Sequence, residues 1–274
     1  MLLSERCADG TIRLHPYAKW RGAHWVLVTL AELGYPEGDS SLDPLREQVL
    51  AWLLSDVYER RWTPKHHGLC RMHASQDANA VWYLLRLGLA DERVDLLIRR
   101  LLEAQWPDGG WNCEPRESTR VSSFEETLIP LRALALYAQH STSPEARAAA
   151  ERAAEVFLGR RLYRRLSDGL PIAERFLRLA FPRHWHYDLL FGLVVMAEAG
   201  FIQDPRCDDA LDVLESKRLA DGGFPAETRY YRPPHASSNA SLVTWGGTNR
   251  RRSNPWITAD ALAVLTAAGR AASR

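Results

Sequence analysis

The sequence predicts an all-α protein, and three observations carry that prediction. A segment that starts polar or with His, Pro or Trp, runs apolar at helical spacing and ends in small residues or Gly recurs about five times. Between its copies lie segments with an apolar stripe opposite a charged face. No convincing period-2 alternation of the kind that marks a strand separates them. The 274 residues are 46% hydrophobic and 25% charged, enough to bury a sizeable core within one domain spanning residues 1–274.

The elements follow in order. Pro16 to Gly34 (PYAKWRGAHWVLVTLAELG) is the first apolar copy, and Leu42 to Asp56 the first amphipathic helix. His73 to Leu89 is the second copy. After it, Asp91 to Gln105 places Val94, Leu97, Ile98, Leu101 and Leu102 at i, i+3, i+4, i+7 and i+8, with Arg93, Arg99, Arg100 and Glu103 elsewhere. Ser122 to Ala138 pairs with Pro144 to Arg161, His184 to Gly200 pairs with Pro205 to Arg218, and Asn254 to Gly269 is the fifth copy. The starts of the copies fall roughly 50 to 70 residues apart. Asp or Pro opens each amphipathic helix, as helix N-termini favour. Buried helices alternating with surface helices predict an α/α toroid of about five to six helix pairs, with an open solenoid as the competing geometry. A short helix around Pro171 to Ala180 is the candidate for completing the ring.

Charge excludes several functions. Thirty-five Lys and Arg against 34 Asp and Glu leave a formal +1, so no overall field draws the chain to nucleic acid or anionic lipid. The longest strongly apolar stretch, Leu189 to Ala197, is about half of a spanning helix, so no stable membrane insertion is expected. Glu5, Arg6 and Asp9 stand where a secretory signal would turn apolar, so a cytoplasmic location is the expectation. Cys7, Cys70, Cys113 and Cys207 are too few and too irregular for a disulfide framework, and read as thiols or metal ligands.

AQWPDGGW (Ala104 to Trp111) and KRLADGGF (Lys217 to Phe224) each place Asp-Gly-Gly before an aromatic, and RRLSDGLP (Arg164 to Pro171) is a weaker copy. Asp-Gly pairs supply turns with positive φ. Gln105, Asp108, Gly109, Gly110 and Trp111 look like the QW repeat of squalene and hopene cyclases, found more loosely in protein prenyltransferase β subunits. The chain is also similar to stand-alone bacterial prenyltransferase and squalene oxidase repeat proteins. The resemblance implies an α/α toroid and an enzyme acting on an apolar, possibly isoprenoid, substrate in a central cavity. Two of the superfamily's signatures are missing: the chain has no Asp-x-Asp-Asp and no Asp-x-Cys, which leaves the reaction unassigned.

Parallel inner helices would bring their N-terminal ends to one mouth. There the sequence places His15, Lys19 and His24; His73, Gln76 and Asp77; Glu125 and Glu126; His184, His186 and Asp188; and Thr258 and Asp260. Helix caps account for single acids at such positions, but not for a cluster of histidines. Asp77, Glu126, His186 and Asp188 are the candidate catalytic acids, bases or metal-binding groups. Cys70 with His73 (C-x₂-H), Cys113, and His184 with His186 (H-x-H) are candidate zinc ligands. His186 resembles in position the zinc His of the prenyltransferases. Trp82, Trp185 and Trp256 are candidates for lining a substrate site or stabilising a cationic centre. Arg229, Tyr230, Tyr231, Arg232, Arg250, Arg251 and Arg252 either bind a phosphate or form a solvated basic loop. Asp208, Asp209 and Asp212 spell Asp-Asp-x-x-Asp, a magnesium motif elsewhere, but most simply form a solvated face. The open alternatives are a non-catalytic toroid that binds a lipid or protein partner, and a zinc-dependent enzyme with its site at the mouth.

Overall fold

A computed structural model describes residues 2–60, 64–65, 67–233 and 240–270. Among them the chain is all-α. The expected apolar copies form α1 (Ala23–Glu32), α4 (Ala74–Arg86), α6 (Phe124–Ser141), α8 (Leu189–Glu198) and α10 (Pro255–Ala267). The amphipathic segments form α2 (Asp43–Leu53), α5 (Arg93–Ala104), α7 (Pro144–Leu158) and α9 (Asp208–Glu215), and α3 (Asp56–Glu59) is a single turn. Around Pro171 to Ala180 the structure forms only a short 3₁₀ turn, Glu174–Leu177. A two-residue antiparallel pair, β1 (Pro64–Lys65) with β2 (Leu69–Cys70), is the strand structure of the described residues, too short for any periodicity to announce.

Each apolar helix packs on the amphipathic helix that follows it, α1 on α2, α4 on α5, α6 on α7 and α8 on α9. The apolar helices also touch in series, α1 to α4, α4 to α6, α6 to α8 and α8 to α10. Burial differs along the series: nine of the ten residues of α1 are buried, Ala23 through Ala31, but only Ile257, Ala261, Val264 and Leu265 of the 13 in α10, where Trp256 and Leu262 are exposed.

Four of these five helices end in the same way. Gly34, at φ +68°, follows α1 in a left-handed conformation that only glycine adopts without strain, and the next amide, of Tyr35, donates to the Leu30 carbonyl. Leu89 to Leu84, Phe201 to Met196 and Arg270 to Leu265 repeat the bond after α4, α8 and α10. Helix α6 instead runs on to Ser141 and stops at Thr142, φ +51°.

The two Asp-Gly-Gly connections also superpose as hydrogen-bond patterns. In one, the Trp106 amide donates to Gly110 and the Gly109 amide to Trp106; in the other, Leu219 donates to Gly223 and Gly222 to Leu219. The following aromatic amide, Trp111 or Phe224, donates to a threonine in the first turn of the next apolar helix, Thr127 or Thr258. Gln105 closes the first connection, donating to the carbonyls of Gly109 (2.8 Å) and Ala149 (2.9 Å) and so tying α5 to α7.

Two contacts reach across the array. The Arg132 guanidinium of α6, 3% exposed, ion-pairs with Glu32 at the end of α1 and Glu198 at the end of α8, and lies 3.6 Å from the Trp82 ring centre of α4. At the opposite helix ends, Trp20 stacks on His184 (4.5 Å) and Trp185 (5.3 Å), joining the approach to α1 with the approach to α8.

Candidate functional site

Asn112 and Cys113 lie in the irregular stretch between α5 and α6. The Arg71 guanidinium donates to the carbonyls of Glu114 (2.6 Å) and Thr119 (2.8 Å), the Asn112 side chain donates to Val121 (2.8 Å), and the Met72 amide donates to Asn112 (3.2 Å). These bonds hold Cys113 against the entry to α4, where His73 occupies the N-cap position. Glu126 arrives from the first turn of α6, whose N-cap Ser123 accepts the Glu126 amide.

The result is a cluster of His73, Cys113 and Glu126, with one donor atom from each within 4.8 Å of the others. His73 Nδ1 stands 3.3 Å from Glu126 Oε1, while Glu126 Oε2 accepts the Ser75 amide at 2.9 Å. Glu126 is buried, and the His73 side chain is 54% exposed, so the cluster opens to solvent on the imidazole side. Hydrogen bonding to Cys113 first, and to Glu126 second, pushes the His73 imidazole up to about 10. An imidazole held so basic is protonated at neutral pH, so a metal ion bound there would have to displace its proton.

The aromatic surface beside the cluster runs from Tyr17. Burial raises Tyr17 to about 12, and Gln76 hydrogen-bonds to it. Gln76 Oε1 is buried and has no hydrogen-bond partner among the described residues. From Tyr17 the rings continue to Trp52 (5.7 Å), Trp25 (5.0 Å) and Trp185 (6.4 Å), then to His186, stacked on Trp185 at 4.3 Å and on Tyr230 at 3.7 Å. Lys19 lies 4.6 Å over Trp185.

Of the sequence candidates, His73, Cys113 and Glu126 come together; among the described residues they are the group able to hold a metal ion. The other candidate ligands lie elsewhere. Cys70 is buried, and its carbonyl accepts the Trp106 indole. His184 is buried against Trp20, and burial pushes it down to about 3. His186 is pushed down to about 4 by burial, with Nδ1 3.1 Å from the Arg183 carbonyl. Both rings are therefore neutral stacking surfaces at neutral pH.

The remaining candidate acids hold protein groups. Asp188 caps α8, accepting the amides of Phe191 (2.8 Å) and Ala180 (3.0 Å), and burial pushes it up to about 6. Asp77 accepts the Tyr58 hydroxyl at 2.5 Å and lies 3.7 Å from Arg100, so it faces α3 and α5. Burial pushes Asp77 up to about 7 in spite of both partners. A carboxyl whose folded value is raised contributes stability that is present below its unfolded value of 3.8 and lost as the pH rises through about 7. Asp77→Asn is therefore expected to flatten the stability profile between pH 4 and 7, read by urea denaturation at a series of pH values; an unchanged slope would place the titration elsewhere.

Trp82 is buried beneath Arg132, and Trp256 lies flat on Phe181 at 5.5 Å. Tyr231 is buried with the exposed Arg229 5.9 Å above it, and Arg250 is exposed in the loop before α10. Of the segment Glu227 to Pro234, Pro234 is outside the described residues. The Asp-Asp-x-x-Asp acids form a salt-bridged outer face, Asp208 and Asp212 with Arg270 and Asp209 with Arg161 and Arg164.

Sequence reasoning placed His73 and Cys113 among possible ligands and Glu126 among acids, without joining them. It missed Tyr17, which no pattern distinguishes from a packing aromatic. No helix among the described residues is long and apolar enough to cross a membrane. No family model and no curated protein matches the chain.

Proposed function

We propose that the chain is an enzyme of α/α-toroid architecture whose reactive centre is His73, Cys113 and Glu126, which hold zinc and act on an apolar substrate seated along the neighbouring aromatic surface. The convergence of these three donors, drawn from positions 40 and more residues apart for His73 and Cys113, carries the reading. A thiolate, an imidazole and a carboxylate are a zinc ligand set, and three protein ligands leave the fourth position to water or substrate, as in catalytic sites. Zinc in such a site supplies Lewis acidity and lowers the pKa of what it binds. The chain's own contribution is orientation: the Ser75 amide fixes Glu126, and Arg71 fixes the loop that carries Cys113. Stacking of Trp20 on His184 and Trp185, together with Arg132 joining α1, α6 and α8, supports ring closure over an open solenoid. The resemblance to cyclases and prenyltransferases makes isoprenoids the first substrates to screen.

A second reading has its own support. His73 hydrogen-bonds to both Cys113 and Glu126, the arrangement of a thiolate nucleophile held by an imidazolium that a carboxylate orients.

The test is zinc content by elemental mass spectrometry on untagged protein, before and after chelation. The expected result is near one equivalent in the wild type and less than about a tenth in Cys113→Ser and Glu126→Gln, with helical circular dichroism retained. A metal-free wild type would overturn the zinc reading. Iodoacetamide alkylation of Cys113 that slows on His73→Gln would then favour the nucleophile, and unaffected alkylation a non-catalytic binding toroid.

A further inference from the structure

A cleft of about 500 Å³ opens beside the first turn of α6, within the range of small-molecule sites. Its floor is apolar: Phe124 and Phe176 stack at 5.5 Å, and Ile172 lies beside them. Val121 and Leu166, 59% and 70% exposed, stand at its rim. Apolar side chains held this far into water around a concave apolar floor mark a surface that a ligand covers. The polar part is mostly cationic, with Arg160, Arg165 and Arg175 against Glu125.

We infer that this cleft binds an apolar molecule carrying a single carboxylate, its chain on the Phe124, Phe176 and Ile172 floor and its head on the Arg160 guanidinium. Charge balance sets the head. Arg175 lies 3.6 Å from Glu125 and Arg165 lies 3.2 Å from Asp168, so two of the three guanidinium charges are already matched, and that of Arg160 has no carboxylate partner among the described residues. One remaining positive charge suits one negative charge, and a single guanidinium fork can hold a carboxylate through paired N–H bonds.

The cleft adjoins the reactive centre. Glu125 lines it, while the next residue, Glu126, belongs to the His73–Cys113 cluster. As the substrate pocket of that centre the cleft rests on the function proposed above, and it narrows the apolar substrate to an acid. As a binding site it stands without it.

Isothermal titration with decanoate, decan-1-ol and decyl phosphate tests the inference in the wild type, in Arg160→Gln and in Leu166→Asp. The Arg160 side chain is half-buried just past the end of α7 and donates to the Val156 carbonyl, so its replacement leaves the core intact. Decanoate is expected to bind the wild type, at least tenfold more weakly to the arginine variant and to Leu166→Asp, and decan-1-ol at least tenfold more weakly than decanoate. Absence of decanoate binding, or binding indifferent to the arginine replacement, would overturn the site. Decyl phosphate more than tenfold tighter than decanoate would overturn the carboxylate head. Chelated Cys113→Ser protein is expected to keep its decanoate affinity, so failure of the zinc reading and failure of this site give different results.

Discussion

Arg132→Ala is expected to lower the unfolding free energy by about 3 kcal/mol, at the lower end of what breaking a buried ion pair costs. The guanidinium is 3% exposed and meets two carboxylates, Glu32 at 14% exposure and Glu198 at 41%. Truncation leaves Glu32 with little water and no cation, whereas Glu198 can rehydrate, which keeps the loss from reaching the top of the range. It also removes the flat cation from the Trp82 face. Arg132→Lys should recover only part of the loss, because an ammonium cannot pair with Glu198 through two nitrogens while reaching Glu32. Arg132→Met should fall between alanine and lysine, restoring contact with Trp82 but not charge. Urea denaturation followed by tryptophan fluorescence reads the series; an alanine variant within about 1 kcal/mol of wild type would mean that water replaces the guanidinium at low cost.

Trp111→Ala is expected to cost about 3–5 kcal/mol, the range for removing a large aromatic from a core. Trp111 is fully buried, its indole N–H donates to the Leu101 carbonyl at 3.0 Å, and its own carbonyl accepts the Ser123 amide at 2.9 Å. The side chain therefore pins the exit of the α5 connection to α5 itself, while the backbone pins it to the entry of α6. Trp111→Phe keeps most of the volume and loses the indole bond, so about 1–2 kcal/mol is expected. Cys113 is two residues further on, so the zinc content should fall in Trp111→Ala and be kept in Trp111→Phe. Equal zinc content in both variants would show that Arg71 and Asn112 alone set the loop.

The helices were legible because burial imposes a period on the sequence. The apolar stripe of Asp91 to Gln105 emerges as α5 within a residue or two at each end, with Val94, Leu97, Ile98 and Leu101 inside. Helix starts were less legible. The copy beginning at Pro16 becomes helical only at Ala23, because at Gly22 the chain folds so tightly onto the Pro16 carbonyl that a Cβ there would stand 2.3 Å from it. The copy beginning at His184 becomes helical only at Leu189, since His184 adopts φ +57° under the Trp20 ring, a contact made by a residue 164 positions away in the chain.

The site was legible as a list of residues but not as a cluster. His73 and Glu126 sit at helix entries that periodicity locates, whereas Cys113 sits in a stretch without period. Side-chain bonds to backbone carbonyls, from Arg71 and Asn112, place it. No spacing rule encodes bonds of that kind. The same limit explains Asp77, one residue from Gln76: a step of one residue on a helix turns a side chain by about 100°, which takes Asp77 to Tyr58 and Arg100 while Gln76 reaches Tyr17.

The stack of Trp20 on His184 and Trp185 bears on how the chain folds. In an open array each repeat meets only its neighbours, so folding can start at any repeat and spread, and partly folded forms persist at the ends. Here the first repeat rests on the fourth, and neither approach segment has its ring partners until the intervening helices are in place. The unfolding transition should therefore be single and steep, with the termini melting together with the middle, and refolding should be slowed by the long loop that must close first.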